Sequence, residues 1–406
     1  MCPALAEGAF CGEHLYCYCG FIGSHLFDDI LLGDDRMKKT KIFLTMALTV
    51  ILALCGCSHD NNTDNSGTEN VKVNKAVNNA EAALGNTYQN LVMPEAIEVD
   101  KAEKAYILSA SRKNESLDVK AQLEKLCEAY TGSKPDSIYR DEGSSNTFIG
   151  EINGKYHIEY SSSNSFHAYR LAEWRAEEEK LPCAVYDVSN EDISSVSYKV
   201  ANSDYSLSEA LNYAEGFVKD KLMEFMPNDT DISFSKAFVY KSGEHYFYCF
   251  TARHYIEGLP LSNVGTGSIE EAHMNGTEFR IYIDEPGIIG EIRNFRYPYI
   301  TEKQEVSELI SLDSALSYLE GYLAPYGKYD IKNITLEYCS KDNSDKGDSF
   351  VYHPTWCFTL SEYDANIYQL EPKKMLYLDA VNKEVFCWDD TKSEFVFGDN
   401  IKLSDK

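Results

Sequence analysis

Positive charge is scarce in this chain: 38 Lys and Arg stand against 65 Asp and Glu, for a net charge of −27. Nucleic-acid backbones and anionic lipid headgroups are held by clustered Lys and Arg, so neither is an expected partner, and a polyanionic cell wall would repel the chain. Long apolar runs are also missing. The apolar run Ile42 to Leu54 holds 13 residues, whereas a membrane-spanning helix needs roughly 20. H-E-x-x-H, G-x-S-x-G, S-x-x-K, P-loop and G-x-G-x-x-G signatures are absent in the context their chemistry requires. No catalytic residue, cofactor or metal ligand is therefore assigned. The six cysteines after residue 57 (Cys127, Cys183, Cys249, Cys339, Cys357 and Cys387) lack the spacing of a disulfide framework. Buried free thiols are the expectation, with a Cys357–Cys387 bridge open if their strands are neighbours.

What is present is an address. Met37 to Cys57 reads MKKTKIFLTMALTVILALCGC. Lys38, Lys39 and Lys41 precede the apolar run, and Leu54-Cys55-Gly56-Cys57 follows it, in the order of a secretory signal and its small-residue cleavage site. This ending resembles the lipobox of bacterial lipoproteins, with Cys57 at the modified position. The resemblance implies that the Cys57 thiol carries diacylglycerol, that residues 37–56 are removed, and that the protein sits lipid-anchored on the extracytoplasmic face of the cell membrane. Two acyl chains suffice for stable anchoring where one is marginal. Residues 1–36 precede the signal, and their Cys11, His14, Cys17 and Cys19 fit no zinc spacing. Leu32-Gly33-Asp34-Asp35-Arg36 can be encoded with a purine-rich ribosome-binding run, so translation is expected to start at Met37 and residues 1–36 to be a leader outside the protein.

Residues 57–86 comprise Cys57 and a segment rich in Asn, Asp, Ser and Thr. Such a composition cannot bury enough surface to offset chain entropy, so a flexible tether is expected, His59 included. Residues 87–198 read as an N-terminal α+β domain. Tyr106-Ile107-Leu108 forms a short strand; Ser116 caps a helix carrying Val119, Leu123, Leu126, Cys127 and Tyr130, with Gly132 as its stop. TFIGEI-NG-KYHIEY then predicts a hairpin, because Asn153-Gly154 supplies the positive φ angles of a type I′ turn. In it Tyr156, Ile158 and Tyr160 share one face, and His157 and Glu159 the other. Further strands are expected at Phe166–Arg170 and Ala184–Tyr186.

An internal repeat follows at an offset of 105 residues. Ser206-Leu-Ser-Glu-Ala-Leu-Asn-Tyr-Ala-Glu-Gly-Phe217 returns as Ser311-Leu-Asp-Ser-Ala-Leu-Ser-Tyr-Leu-Glu-Gly-Tyr322. Ser206 and Glu209 form a capping box ahead of the stripe Leu207, Leu211, Ala214, Val218 and Leu222; Ser311 caps alone ahead of Leu312, Leu316, Leu319 and Leu323. The strands correspond as well: Tyr248-Cys249-Phe250-Thr251 with Trp356-Cys357-Phe358-Thr359, and Tyr282-Ile283-Asp284 with Tyr377-Leu378-Asp379. Repeat units at 199–300 and 301–395 and a short tail at 396–406 are expected. The fold class is thus α+β: two or three units, each a helix packed on an antiparallel sheet, after a signal peptide and a disordered tether. The helix followed by aromatic strands ending Tyr377-Leu378-Asp379-Ala380 and Glu384-Val385 resembles PepSY-like domains of exported Gram-positive proteins, although Lys383 replaces the usual Gly of the last turn. That resemblance implies protease inhibition, sensing or regulation at the cell envelope. The whole chain is also similar to uncharacterised lipoproteins of Gram-positive gut bacteria.

Other candidates carry less. His157, His167, His245, His254, His273 and His353 are dispersed, and His245 and His254 lie nine residues apart around one strand. Glu270-Glu271 and Asp389-Asp390 are unremarkable pairs in so acidic a chain. Asp342 to Asp348 hints at a calcium loop but has Lys346 in a ligand position and no closing Glu. The 29 tyrosines invite a glycan or peptide groove with Tyr246, Tyr248 and Phe250 as platforms, or equally half-buried strands. The expected function is a membrane-anchored, non-catalytic binding, sensing or regulatory module with an envelope protein or peptide as partner. An exported hydrolase whose site assembles only in three dimensions, and a solute- or glycan-binding lipoprotein, are the alternatives.

Overall fold

The computed structural model describes residues 70–398 apart from 98, 112–113, 115, 145, 172–181, 227–229, 263–277, 296–297, 327–328, 341–348, 361–374 and 390–393. The leader, the signal stretch with Cys57, residues 58–69, His273, Glu270-Glu271, Asp342 to Asp348 and Asp390 lie outside the described residues.

Turn chemistry and caps set the local structure. Asn153 (φ 53°) and Gly154 (φ 59°) both adopt the left-handed region at the expected hairpin, and pairing resumes at Ile152 and Tyr156. The helices are α1 (Val73–Asn78), α2 (Val119–Thr131), α3 (Leu207–Phe217) and α4 (Leu312–Leu323). Asp118, not Ser116, caps α2: its carboxylate accepts from the Ala121 N–H, while Ser116 bonds to Asn114. Gly132 ends α2 in the left-handed region. Ser206 and Glu209 make both bonds of the capping box on α3, and the Ser311 hydroxyl accepts from the Ser314 N–H on α4. Leu312, Leu316, Leu319 and Leu323 are all buried, each worth about 1.5–3 kcal/mol of apolar burial.

In chain order the main strands begin with β1 (Ala105–Ser111), β2 (Ser137–Arg140), β3 (Thr147–Ile152), β4 (Tyr156–Ser161), β5 (Phe166–Arg170) and β6 (Ala184–Asp187). Then come β7 (Asp231–Ser242), β8 (His245–Ile256), β9 (Glu278–Glu285), β10 (Ile288–Phe295) and β11 (Tyr299–Val306). The last are β12 (Asn333–Ser340), β13 (Ser349–Thr359), β14 (Met375–Asp379), β15 (Val385–Asp389) and β16 (Glu394–Phe397). They form a mixed α+β protein with two large, mostly antiparallel sheets. The first runs β6-β7-β8-β9-β10-β5-β4-β3-β2, with the hairpin Ser197–Val200 and Ser203–Ser206 beside β8. The second runs β11-β1-β13-β14-β15-β16, with β12 also on β13. Alternation splits each sheet into a helix-side core and a far side. Leu123, Leu126, Ala210, Ala214, Phe250 and Ile281 belong to the helix-side core of the first sheet. Leu312, Leu316, Trp356, Phe358 and Leu378 belong to that of the second.

Some contacts recur in the two large sheets. Cys249 pairs with Tyr282, and Cys357 with Tyr377. The Tyr248 hydroxyl donates to the Tyr205 carbonyl at 2.5 Å, and Trp356 Nε1 donates to the Ile310 carbonyl at 2.9 Å. Each carbonyl belongs to the residue just before the helix cap, so an aromatic side chain of each large sheet pins the entry to α3 or α4.

Two expectations about boundaries fail. The stretch 70–85, expected to be tether, is packed structure: Asn70–Lys72 pairs antiparallel with Glu308–Ile310, and Val73, Ala76, Val77, Ala80 and Ala83 are buried. Its small apolar residues at helical spacing are diluted by Asn and Lys, so composition hides a face that needs only a neighbouring surface. The divisions at 198/199 and 300/301 are not where the sheets divide. β1 sits between β11 and β13 in the second sheet, and β2 to β5 extend the first sheet through β5 pairing with β10. Strand edges recruit partners regardless of chain distance. No helix among the described residues is long and apolar enough to cross a membrane.

Candidate functional site

Where the end of β11 faces the first sheet and its helices, the surface opens into a cleft of about 580 Å³. One wall is the segment Tyr299 to Lys303. Opposite it lie Asn114, Leu117 and Gln122 at the start of α2, Tyr160 and Asn164 around the β4–β5 turn, and Glu224, Phe225 and Met226 after α3. A volume of this size, partly apolar with convergent polar groups, suits a small molecule or a short chain segment.

Its polar groups are held in place by their own local bonds. Asn164 turns the chain in the left-handed region (φ 55°), which Asn tolerates better than most residues. Asn164 Oδ1 accepts from the buried Tyr160 hydroxyl at 2.8 Å, and its carbonyl accepts from Asn294 Nδ2 at 3.2 Å. Asn114 donates its N–H to the Ser162 carbonyl at 3.2 Å, and its Oδ1 accepts from the Ser116 hydroxyl at 2.6 Å. On the facing wall the β11–β1 register shifts between Ile300 and Glu302, and the bulged Thr301 donates its hydroxyl to the Ser109 carbonyl at 3.1 Å. The Tyr299 hydroxyl is buried and has no hydrogen-bond partner among the described residues; burial pushes its pKa up to about 12, so it stays a donor at neutral pH. Among the described residues β11 pairs with β1 alone, which makes it an edge of the second sheet.

The side chains singled out in the sequence lie elsewhere. His245 and His254 sit at opposite ends of β8, nine residues or about 30 Å apart at the rise of a strand. His254 is fully buried, its ring edge-on to Phe279 at 6.1 Å, and burial pushes its pKa down to about 3. Tyr248 and Phe250 are core residues, with Tyr246 packed against the same core, so they offer no open platform. His157 and Glu159 do share a face, bonded at 2.8 Å. On that far side His167 Nε2 and Arg293 Nε both reach Glu291 Oε1 at 2.5 Å, and Arg293 lies 5.3 Å from the Tyr282 ring centre. His157 with Glu159 and Arg293 with Glu291 pair along one strand each, and His167 with Glu291 joins β5 to β10.

The Cys357–Cys387 bridge does not form, because β-strand alternation separates the two: Cys357 faces the far side with Tyr377 and Phe386, and Cys387 belongs to the helix-side core. The thiol near Cys357 is that of Cys339, 3.6 Å away. With Glu337 they form a buried Glu-Cys-Cys group of ligand types. Arg253 already occupies the cationic role there, 2.8 Å from Glu337 Oε1, and burial raises the Cys357 thiol well above its ordinary pKa. The Arg253 guanidinium thus supplies a cation to the carboxylate of this group. Sequence reasoning missed the cleft residues; the only local signal was the turn-prone run Ser161-Ser162-Ser163-Asn164-Ser165.

No protein-family model matches the chain, and no curated protein sequence matches it. Among solved structures, a crystal structure of an uncharacterized protein from Eubacterium rectale ATCC 33656 is similar, with a TM-score of 0.51 at 15% identity. The likeness covers 77% of this chain and 99% of that one, and it concerns the fold.

Proposed function

We propose that the protein is a membrane-anchored, extracytoplasmic lipoprotein whose folded body is a non-catalytic binding or regulatory module of the cell envelope. The observation that carries this reading is the cleft of about 580 Å³, whose Asn114, Asn164 and Thr301 are already tied into fixed positions by local bonds. Groups preorganised in this way favour binding over movement. The lipobox-like Leu54-Cys55-Gly56-Cys57 supports the anchor. The paired contacts of Tyr248 and Trp356 support descent of the two halves from one helix-then-sheet unit, of the PepSY-like kind.

Cys57→Ala is expected to release the protein from the membrane fraction or leave it uncleaved. Normal cleavage with unchanged membrane retention overturns the anchor. Cross-linking on intact membranes is expected to recover the unmodified protein bound to a partner, and turnover of a fluorogenic peptide or glycoside by the purified protein overturns the non-catalytic reading.

A further inference from the structure

Resting on that reading of the cleft, we infer that its occupant is an extended, basic polypeptide segment that adds as a strand to the outer edge of β11. An edge strand presents unpaired backbone groups that template another strand, and such strand addition draws affinity from main-chain bonds and selectivity from the side chains beside them. β11 meets both requirements. It pairs with β1 alone among the described residues, and Tyr299 to Lys303 form one wall of the cleft. At the rise of a strand those five residues span about 16 Å. The opposite wall supplies Gln122 and Asn164, whose amides can donate and accept to a main chain, and Leu117 and Met226 for an apolar side chain. The Tyr299 hydroxyl adds a buried donor next to the edge.

Charge selects the sign of the partner. Glu302 lines the cleft and is exposed, Glu224 is exposed with Lys125 Nζ 3.6 Å from its carboxylate, and the cation of the wall, Lys303, stands 5.9 Å over the Tyr106 ring. The chain as a whole carries −27, which speeds the approach of cationic segments and repels acidic ones. The bulge at Thr301 and the charges of Glu302 and Lys303 are of the kind that keeps an edge from pairing with itself, leaving it to a partner of complementary charge.

The test uses the full-length lipoprotein in detergent micelles and fluorescence anisotropy of a labelled Lys-Thr-Val-Thr-Lys peptide. Three further probes are the same peptide N-methylated at alternate backbone nitrogens, its Glu-Thr-Val-Thr-Glu counterpart, and N,N′-diacetylchitobiose as a competitor. The basic peptide is expected to bind, backbone methylation to weaken it about tenfold, and Tyr299→Phe to weaken it roughly five- to tenfold through loss of one hydroxyl donor. Glu302→Lys is expected to shift preference toward the acidic peptide with the thermal unfolding midpoint retained. Absence of binding at the highest soluble concentration, or equal binding of the N-methylated peptide, overturns the inference. Displacement by chitobiose, with chitobiose binding weakened by Tyr299→Phe, also overturns it but leaves the binding-module reading standing. Cleavage of the bound peptide does the reverse: peptide recognition holds and the non-catalytic reading falls.

Discussion

Tyr282-Ile283-Asp284 at the end of β9 and Tyr377-Leu378-Asp379 at the end of β14 hold corresponding places in the two sheets, yet their aspartates answer burial in opposite directions. Burial raises Asp284 above the ordinary carboxylate range, even though the Arg170 guanidinium lies 2.5 Å from its Oδ2. Burial pushes Asp379 the same way, but His353, 3.1 Å from Oδ2, and the N–H groups of Val381 and Asn382, each 2.9 Å from Oδ1, outweigh it and hold that carboxyl well below the ordinary range. The turns explain the difference. Two residues past Asp379 stands Val381, with an N–H to give; two residues past Asp284 stands Pro286, which has none. A sheet position is therefore not an electrostatic environment; the turn after it decides.

The largest expected effect breaks this pair apart. Asp379→Ala removes the acceptor for two backbone N–H groups and the partner of His353 at a fully buried site, and is expected to cost about 3–5 kcal/mol. Asp284→Ala is expected to cost less, about 1–2 kcal/mol, because its charge is already disfavoured and Arg170 keeps Glu285 at 2.9 Å. Chemical denaturation of both variants at neutral pH checks the order; equal losses would remove the contrast. Their acid responses also carry opposite signs. Asp379 contributes stability that is present above the unfolded carboxylate pKa and lost as pH falls below about 4. Asp284, raised in the folded state, is relieved by the same acidification.

His254 sets a second, milder contrast between the sheets, since it titrates in a higher window than Asp379. Its folded pKa of about 3 lies below the ordinary 6.5, so the unfolded state binds the extra proton first. The stability it confers is complete above pH 6.5 and declines below it by about 1.4 kcal/mol per unit. Roughly 3 kcal/mol should be lost between pH 6.5 and 4.5. His254→Gln is expected to flatten that limb of the stability curve while leaving the carboxylate limb below pH 4 in place. An unchanged slope in the variant would assign the loss to another group.

How much of this was legible in the sequence follows from how local each signal is. The Asn153-Gly154 hairpin, the capping box of Ser206 and Glu209, and the leucine stripe of α4 were readable because period and turn chemistry act within a dozen residues. The cleft was not. Asn114, Asn164, Phe225 and Tyr299 meet only because β5 joins β10 and β1 joins β11, and edge pairing over more than a hundred residues leaves no periodic trace. Val73 and Ala76 were hidden for a different reason: two small apolar residues per turn barely alter the composition of an Asn-rich stretch.

Close approach sharpens the comparison at Gly290. A Cβ there would lie 2.7 Å from the Asp284 carboxyl, so Gly290→Ala is expected to displace Asp284 from Arg170 and cost about 1–3 kcal/mol, read as a lowered denaturation midpoint. In the Asp284→Ala background most of that cost should vanish, since the obstructing carboxyl is gone. Additive losses would show that Gly290 matters for some other contact.

The smallest effect concerns the turns themselves. Gly287 closes the β9–β10 turn at φ 70°, and Lys383 stands at φ 59° before β15. The left-handed region costs a residue with a side chain about 1 kcal/mol or more relative to glycine. Lys383→Gly relieves that strain but enlarges the conformational freedom of the unfolded chain, which offsets part of the gain. A net stabilisation of about 0.5 kcal/mol is expected, whereas Gly287→Ala should destabilise by about 1 kcal/mol. Opposite signs in paired denaturation curves would mean that the second sheet tolerates a strained turn because Asp379 already anchors it through Val381 and Asn382, a support that the Pro286 turn cannot receive.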